Sequence, residues 1–186
     1  MPVRSLLLLI SGQMAVFFAV GLGLWLWSGR AADAFVGFGG DEFAIGLGLA
    51  GLLILLAAFV FYGLPRLSEY LVRAQADNLA FLVEKPLPIW AIVIVSLGAG
   101  IGEEALFRGG VQTLAADYVD APLAILFASS LFAVVHFAKP LVAAIILLIG
   151  SLFGVVYWQT GSLIAVMIGH ALYDVFALWY VQKEMH

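Results

Sequence analysis

Six ionisable side chains interrupt otherwise apolar stretches of this 186-residue sequence. They are Glu103, Glu104, Arg108, His136, His170 and Asp174. Carboxylates and imidazoles are the groups that activate water as general bases, and together they also form ligand sets for Zn²⁺. The alternative interpretation is a structural ion-pair network that only fixes how helices pack. The chemistry depends on which of these side chains meet.

Helical spacing separates the two neighbouring glutamates. Successive residues of an α-helix point about 100° apart, so Glu103 and Glu104 cannot share one direction. Glu104 and Arg108 stand four residues apart with the acid first, which favours an ion pair. His170 and Asp174 are also four residues apart and share one helix face. We therefore expect Glu104 and Arg108 to neutralise each other, and Glu103 to remain an unpaired carboxylate that a histidine or a metal ion meets.

His136 raises a problem of depth. At 1.5 Å per residue, Glu103 lies roughly 22 Å along its helix from Pro88. His136 stands only three residues before Lys139, which ends the next apolar segment on the same side as Pro88. The two side chains can meet only if the helix of Glu103 begins outside the bilayer, or if the turn at 137–141 dips into it.

The composition indicates a membrane protein, so these residues must be positioned by elements that lie in lipid. Of the whole chain, 65% is hydrophobic and 11% is charged, whereas soluble domains are about half apolar and about a quarter charged. The net charge is −4, without a basic cluster, which argues against nucleic acid as a partner. There are no cysteines, so disulfides and thiolate metal sites are excluded.

The apolar segments predict an all-α membrane protein with about six spanning helices. A span needs about 20 apolar residues, and the candidates are 5–27, 43–64, 88–115, 121–138, 140–158 and 162–181. We interpret residues 1–186 as one transmembrane domain, with two spans and a linker in 1–87 and a motif-bearing catalytic core in 88–186. Within the linker, the leucines and tyrosine of 65–87 recur at loosely helical spacing, which predicts either an amphipathic helix on the inner surface or a solvated linker. The residues concerned are Leu67, Tyr70, Leu71, Leu79 and Leu82.

Lysine and arginine predict the orientation, because cytoplasmic loops are enriched in them. With six spans, one side of the membrane holds Arg4, Arg66, Arg73, Lys85, Lys139 and Lys183, and the other holds Arg30 alone. Both termini should therefore be cytoplasmic.

Three motifs in order resemble the CPBP family of intramembrane proteases, which includes the CAAX prenyl endopeptidases and bacteriocin-processing proteins and is also called the Abi family. The family pattern Glu-Glu-x-x-x-Arg corresponds here to Glu103 through Arg108, followed by Gly109 and Gln112. Phe-x-x-x-His corresponds to Phe132 through His136, and His-x-x-x-Asn or Asp to His170 through Asp174. The motifs cover about the last hundred residues, and the earlier part of the chain matches only as generic spans.

The resemblance implies an intramembrane endopeptidase, and it assigns roles to the matching positions. Glu103 would activate water, and His136 would assist it or bind metal. His170 and Asp174 would bind metal or stabilise the oxyanion. The family's mechanism is described either as metal-dependent, with Zn²⁺ the expected ion, or as a metal-free glutamate mechanism. Asp174 takes the acidic option of its motif, which favours a cation, because an ionised carboxylate cannot donate a hydrogen bond to an oxyanion.

Two other functions compete with proteolysis. One is a proton or cation transporter that uses the membrane acids as a relay, although the sequence has no inverted repeat. The other is a non-catalytic membrane protein of the immunity type, with a polar cluster that is only structural. A protease would have membrane lipid and a membrane-associated peptide or protein substrate, prenylated or CAAX-like, as its partners. Nothing in the sequence indicates an oligomeric state.

Overall fold

The computed structural model describes residues 3–37, 39–75 and 86–186, and within these ranges it contains seven helices and no strand. The first half of the chain forms α1 (Val3–Trp27), α2 (Glu42–Gly63) and α3 (Pro65–Gln75). The second half forms α4 (Ile89–Ala115), α5 (Ala121–Val135), α6 (Pro140–Thr160) and α7 (Leu163–Met185). The predicted all-α membrane fold is confirmed.

Five of these helices are long and apolar enough to cross a membrane: α1, α2, α4, α6 and α7. The sixth predicted span, 121–138, is shorter than expected because α5 has 15 residues and ends at Val135. It is about 22 Å long, less than the roughly 30 Å hydrocarbon core of a bilayer. By contrast, the 27 residues of α4 extend about 40 Å.

Local sequence signals account for the helix boundaries. The carboxylate of Asp120 accepts a hydrogen bond from the Leu123 amide at the start of α5, and the Ser162 hydroxyl caps α7 through the Ala165 amide. Gly161 ends α6 with a φ of 65°, a left-handed conformation that glycine adopts without steric cost.

The linker after α2 contains the predicted amphipathic helix in part. In α3, Leu71, Val72 and Ala74 are buried, while Arg66 and Arg73 are exposed. Leu71 and Ala74 pack against Val142 at the beginning of α6. The part of this prediction that concerns Leu79 and Leu82 lies outside the described residues.

The centre of the bundle is formed by α4 and α7, which pack against each other and are the most buried of the spanning helices. Helix α2 covers one side of α7, α1 covers α4, and α5 pairs with α6. The main apolar core combines residues of α2, α4, α6 and α7 with Phe35 of the α1–α2 loop. This arrangement places the motif-bearing helices around one interior region.

Helix α4 contains a π-helical segment at Ala105–Gln112, in the middle of the first motif. Such segments are rare and are often found at functional sites. The segment lies directly against α1, where a Cβ atom at Gly21 would collide with the carbonyl group of Ala105. Thr113 closes the segment by donating a hydrogen bond from its hydroxyl to the carbonyl of Arg108.

Candidate active site

The structure brings all six predicted site residues into one cluster at the meeting point of α4, α5 and α7. The predicted Glu104–Arg108 ion pair is present, with 3.2 Å between Arg108 Nη1 and Glu104 Oε1, and both side chains are fully buried. His170 Nε2 lies 3.5 Å from Asp174 Oδ2 on the same helix face. The Glu103 carboxylate faces the two histidines.

The Glu103 carboxylate is the point where the helices converge. Its Oε2 atom lies 4.0 Å from His136 Nε2 and 3.8 Å from His170 Nε2. These distances exceed a direct hydrogen bond, and they are short enough for one water beside the atoms to contact both groups. The side chain is 13% exposed, so the carboxylate is largely shielded from lipid and from bulk solvent.

Each histidine is held through its other ring nitrogen. His136 Nδ1 lies 2.6 Å from the Phe132 carbonyl, which can only accept a hydrogen bond. His170 Nδ1 lies 2.7 Å from Glu104 Oε1, the carboxylate oxygen that also receives Arg108. Both Nδ1 atoms are therefore assigned as donors, and both Nε2 atoms are left to face Glu103. Fixing one imidazole nitrogen in this way orients the other.

Glu104 has a second role that spacing alone did not reveal, because it contacts His170 as well as Arg108. It thereby links the first motif to the third. Its other oxygen, Oε2, has no hydrogen-bond partner within the described residues. The buried ion pair thus also orients the His170 ring, through the contact of Glu104 with Nδ1.

Several residues outside the predicted set complete the surroundings of Arg108. Its guanidinium donates a 2.7 Å hydrogen bond to the Gly150 carbonyl and lies 4.7 Å from the Phe132 ring centre and 5.6 Å from that of Phe153. Phe153 also stacks on His170, with ring centres 5.1 Å apart. The small residues of "GSLFG" at 150–154 are a signal from which a close helix approach could have been predicted. Nothing in the sequence indicated the contacts of Phe153.

The site is closed on one side and open on the other. Glu104 and Arg108 are inaccessible, whereas the His136 side chain is 32% exposed and that of Asp174 is 24% exposed. Water and a substrate would therefore reach Glu103 past His136 and Asp174.

The donor types fit a metal ion better than their spacing does. Histidine nitrogens that are oriented through their Nδ1–H groups, beside carboxylates, are typical of zinc sites. Ligand atoms around a tetrahedral Zn²⁺ lie roughly 3.3–3.6 Å apart, and the Glu103–histidine separations are longer than this. Among the described residues, no three His, Asp or Glu side chains are arranged to hold one metal ion together. The predicted Zn²⁺ stays a prediction.

Comparisons with known proteins bear on this cluster directly. Residues 85–176, nearly half of the chain, match the family model "Type II CAAX prenyl endopeptidase Rce1-like". No curated protein and no solved structure matches the chain. The matched segment contains the three motifs whose side chains meet at Glu103. This chain is therefore an integral membrane protein of the CAAX protease (CPBP) family.

Proposed function

We propose that this protein is an intramembrane endopeptidase in which Glu103 activates the attacking water. The observation that carries the proposal is the position of the Glu103 carboxylate, which faces the Nε2 atoms of His136 and His170 at 4.0 and 3.8 Å. A water molecule beside these three atoms would lie within hydrogen-bond reach of a base and of two imidazoles.

The proton transfers of peptide hydrolysis can be assigned to these residues alone. Glu103 takes a proton from water, and the hydroxide oxygen bonds to the peptide carbonyl carbon. The negative charge that develops on the carbonyl oxygen needs preorganised donors, and a protonated His136 or His170 would supply one through Nε2–H. When the C–N bond breaks, Glu103 returns its proton to the leaving amine.

The remaining site residues act by positioning. Glu104 holds His170 at Nδ1, and Arg108 neutralises Glu104 in the lipid-shielded interior. Asp174 lies beside His170 Nε2 and would stabilise its protonated form. A bound Zn²⁺ would supply Lewis acidity to the same water, but no step above depends on it.

The substrate is proposed from the family. Type II CAAX endopeptidases act on CAAX-type peptides, and the shielded position of Glu103 suits a peptide that reaches it from the membrane. Its backbone must be extended at the cleaved bond, because a helical backbone has satisfied its own hydrogen bonds.

The test is cleavage of a fluorogenic, prenylated CAAX peptide by the purified protein in detergent. Glu103→Gln should lower kcat by at least about 100-fold, the lower range for loss of general-base catalysis, while leaving the melting temperature close to that of the wild type. Glu184→Gln is the matched control, because Glu184 is an exposed glutamate at the end of α7. Full activity of the Glu103 variant would overturn the assignment of the base.

Metal analysis of the same preparations tests the predicted cofactor. One Zn²⁺ per chain that is lost in His170→Ala would support a metal role, and activity that survives exhaustive chelation would contradict it.

A further inference from the structure

A cavity that does not include Glu103 lies between α3 and the beginning of α6. Its volume is about 240 Å³. Its lining consists of one face of α3 and the residue before α6, namely Arg66, Glu69, Tyr70, Arg73, Ala74 and Lys139. None of these residues belongs to the proposed catalytic cluster.

The charge of this cavity favours an anion. Three cationic side chains and one carboxylate line the cavity. The carboxylate, Glu69, is already paired with one of the cations, since its Oε1 lies 2.6 Å from Arg73 Nη2. Arg66 and Lys139 are both exposed, and no carboxylate pairs with either of them within the described ranges. Among the described residues, the positive charges of Arg66 and Lys139 are therefore not neutralised by a carboxylate.

The cavity lies where lipid headgroups would be. It is flanked by the ends of two spanning helices, since α2 ends at Gly63 and α6 begins at Pro140. The apolar face of α3 packs on α6 through Leu71 and Ala74, so its charged face is turned outward. A basic pocket at this level is a known environment for anionic lipid headgroups.

We propose that this cavity binds the phosphate group of an anionic phospholipid. Arg66 and Lys139 supply the charge, and the Tyr70 hydroxyl supplies a neutral donor at the rim. The positive end of the α6 dipole adds to the attraction, because Lys139 is the residue that precedes this helix. Binding there would hold α3 against the turn that carries His136, which separates α5 from α6.

The experiment measures the binding of phosphatidylglycerol to the full chain in phosphatidylcholine–detergent micelles by native mass spectrometry. Lys139→Gln and Arg66→Gln should each weaken this binding about fivefold, the loss expected for one cation near a lipid surface. The matched control is Lys183→Gln, an exposed lysine on the last turn of α7 that does not line the cavity. It should bind phosphatidylglycerol as the wild type does. Two variants on different elements guard against a folding defect in either one.

Three outcomes would overturn the proposal. The first is unchanged phosphatidylglycerol binding in both cavity variants. The second is an equal stabilisation of the protein by inorganic phosphate alone, which would make the ligand a soluble anion. The third is unchanged lipid binding together with a raised KM for a peptide that has a free carboxylate, which would make the cavity a substrate anchor. Lipid binding is measured without proteolysis, so its failure is distinguishable from failure of the proposed activity.

Discussion

Two glutamate–arginine pairs in this protein have the same spacing and opposite surroundings. Glu104–Arg108 is completely buried, whereas Glu69–Arg73 has side chains that are 62% and 78% exposed. Removing one partner of a buried pair leaves an uncompensated charge, while an exposed pair is screened by water. The same substitution should therefore have very different consequences at the two arginines.

We expect Arg108→Met to lower the free energy of unfolding by about 3–5 kcal/mol and Arg73→Met to lower it by less than about 1 kcal/mol. Thermal or denaturant unfolding in one detergent provides the comparison. Equal losses for the two variants would mean that Arg108 is not an essential counter-ion of Glu104.

Phe137 is the one non-glycine residue with a positive φ in the described structure. Its φ is 47°, and its side chain is 86% exposed, directly after His136. A left-handed conformation costs a residue with a Cβ roughly 1–2 kcal/mol. The side chain is too exposed to recover this cost by packing.

Phe137→Gly should therefore be more stable than Phe137→Ala by about 1 kcal/mol, because both variants lose the ring and only glycine also loses the Cβ. The melting temperatures of the two variants test this difference. A Phe137→Ala variant that is as stable as Phe137→Gly would show that the turn relaxes without strain.

At the scale of elements, the π-helical segment of α4 is matched to a pair of glycines on α6. Arg108 donates to the Gly150 carbonyl, and Gln112 donates to the Gly154 carbonyl at 2.9 Å. The two donors and the two acceptors are each four residues apart. A Cβ at Gly150 would lie 3.1 Å from Arg108 Nη2, and a Cβ at Gly154 would lie 2.8 Å from Gln112 Oε1.

Gly154→Ala should destabilise the protein by about 1–3 kcal/mol, since the added methyl group overpacks this contact. It should also reduce activity, because Gln112 lies in the same π-helical segment as Arg108, which supports the glutamate that orients His170. Gly51→Ala on α2 is the control, since nothing lies within 4 Å of its Cβ position, and we expect it to be neutral or slightly stabilising. If both variants unfold alike, the glycine contacts do not position the π-helical segment.

The depth problem is also answered at this scale. Helix α4 is about 40 Å long, which exceeds the roughly 30 Å hydrocarbon core of a bilayer, whereas α5 is only about 22 Å long. The end of α5 therefore lies beside the interior of α4 and not beside its first residues. His136 follows the end of α5 and therefore reaches Glu103 within the bundle.

At the scale of the whole molecule, a surface ion pair joins two loops at the end of the bundle away from α3. Arg30, after α1, donates two hydrogen bonds to Asp117, after α4, at 2.9 and 2.7 Å. These bonds hold the pKa of Asp117 below its ordinary value of 3.8 and raise that of Arg30. Because the folded pKa of Asp117 is lower than the unfolded one, its stabilisation is present above about pH 4 and is lost as pH falls through the folded pKa.

Asp117→Asn should therefore melt below the wild type at pH 6, and the two melting temperatures should converge as the pH falls through the folded pKa of Asp117, which lies below 3.8. A series of melting curves from neutral to acidic pH measures this gap. Arg30→Gln should produce the same gap, and the double variant should add nothing to either single one. A gap that persists unchanged in acid would contradict the ion pair.

Residue type and local periodicity were sufficient to predict a large part of this protein. The apolar segments indicated a helical membrane protein, and the four-residue spacings indicated that Glu104 pairs with Arg108 and that His170 shares a face with Asp174. These features follow from the chain alone, because hydropathy and the 3.6-residue turn act within single helices. The domain boundaries and the cytoplasmic termini stay predictions.

Only the tertiary structure decided which helices present their polar groups to one another. The approach of Glu103 to both histidines, the bond from His170 to Glu104, the shortness of α5 and the Arg108–Gly150 contact all depend on how helices cross and how deeply each one lies. Such contacts join residues far apart in the chain, and their geometry results from the packing of many side chains at once. Spacing within one helix therefore cannot specify them.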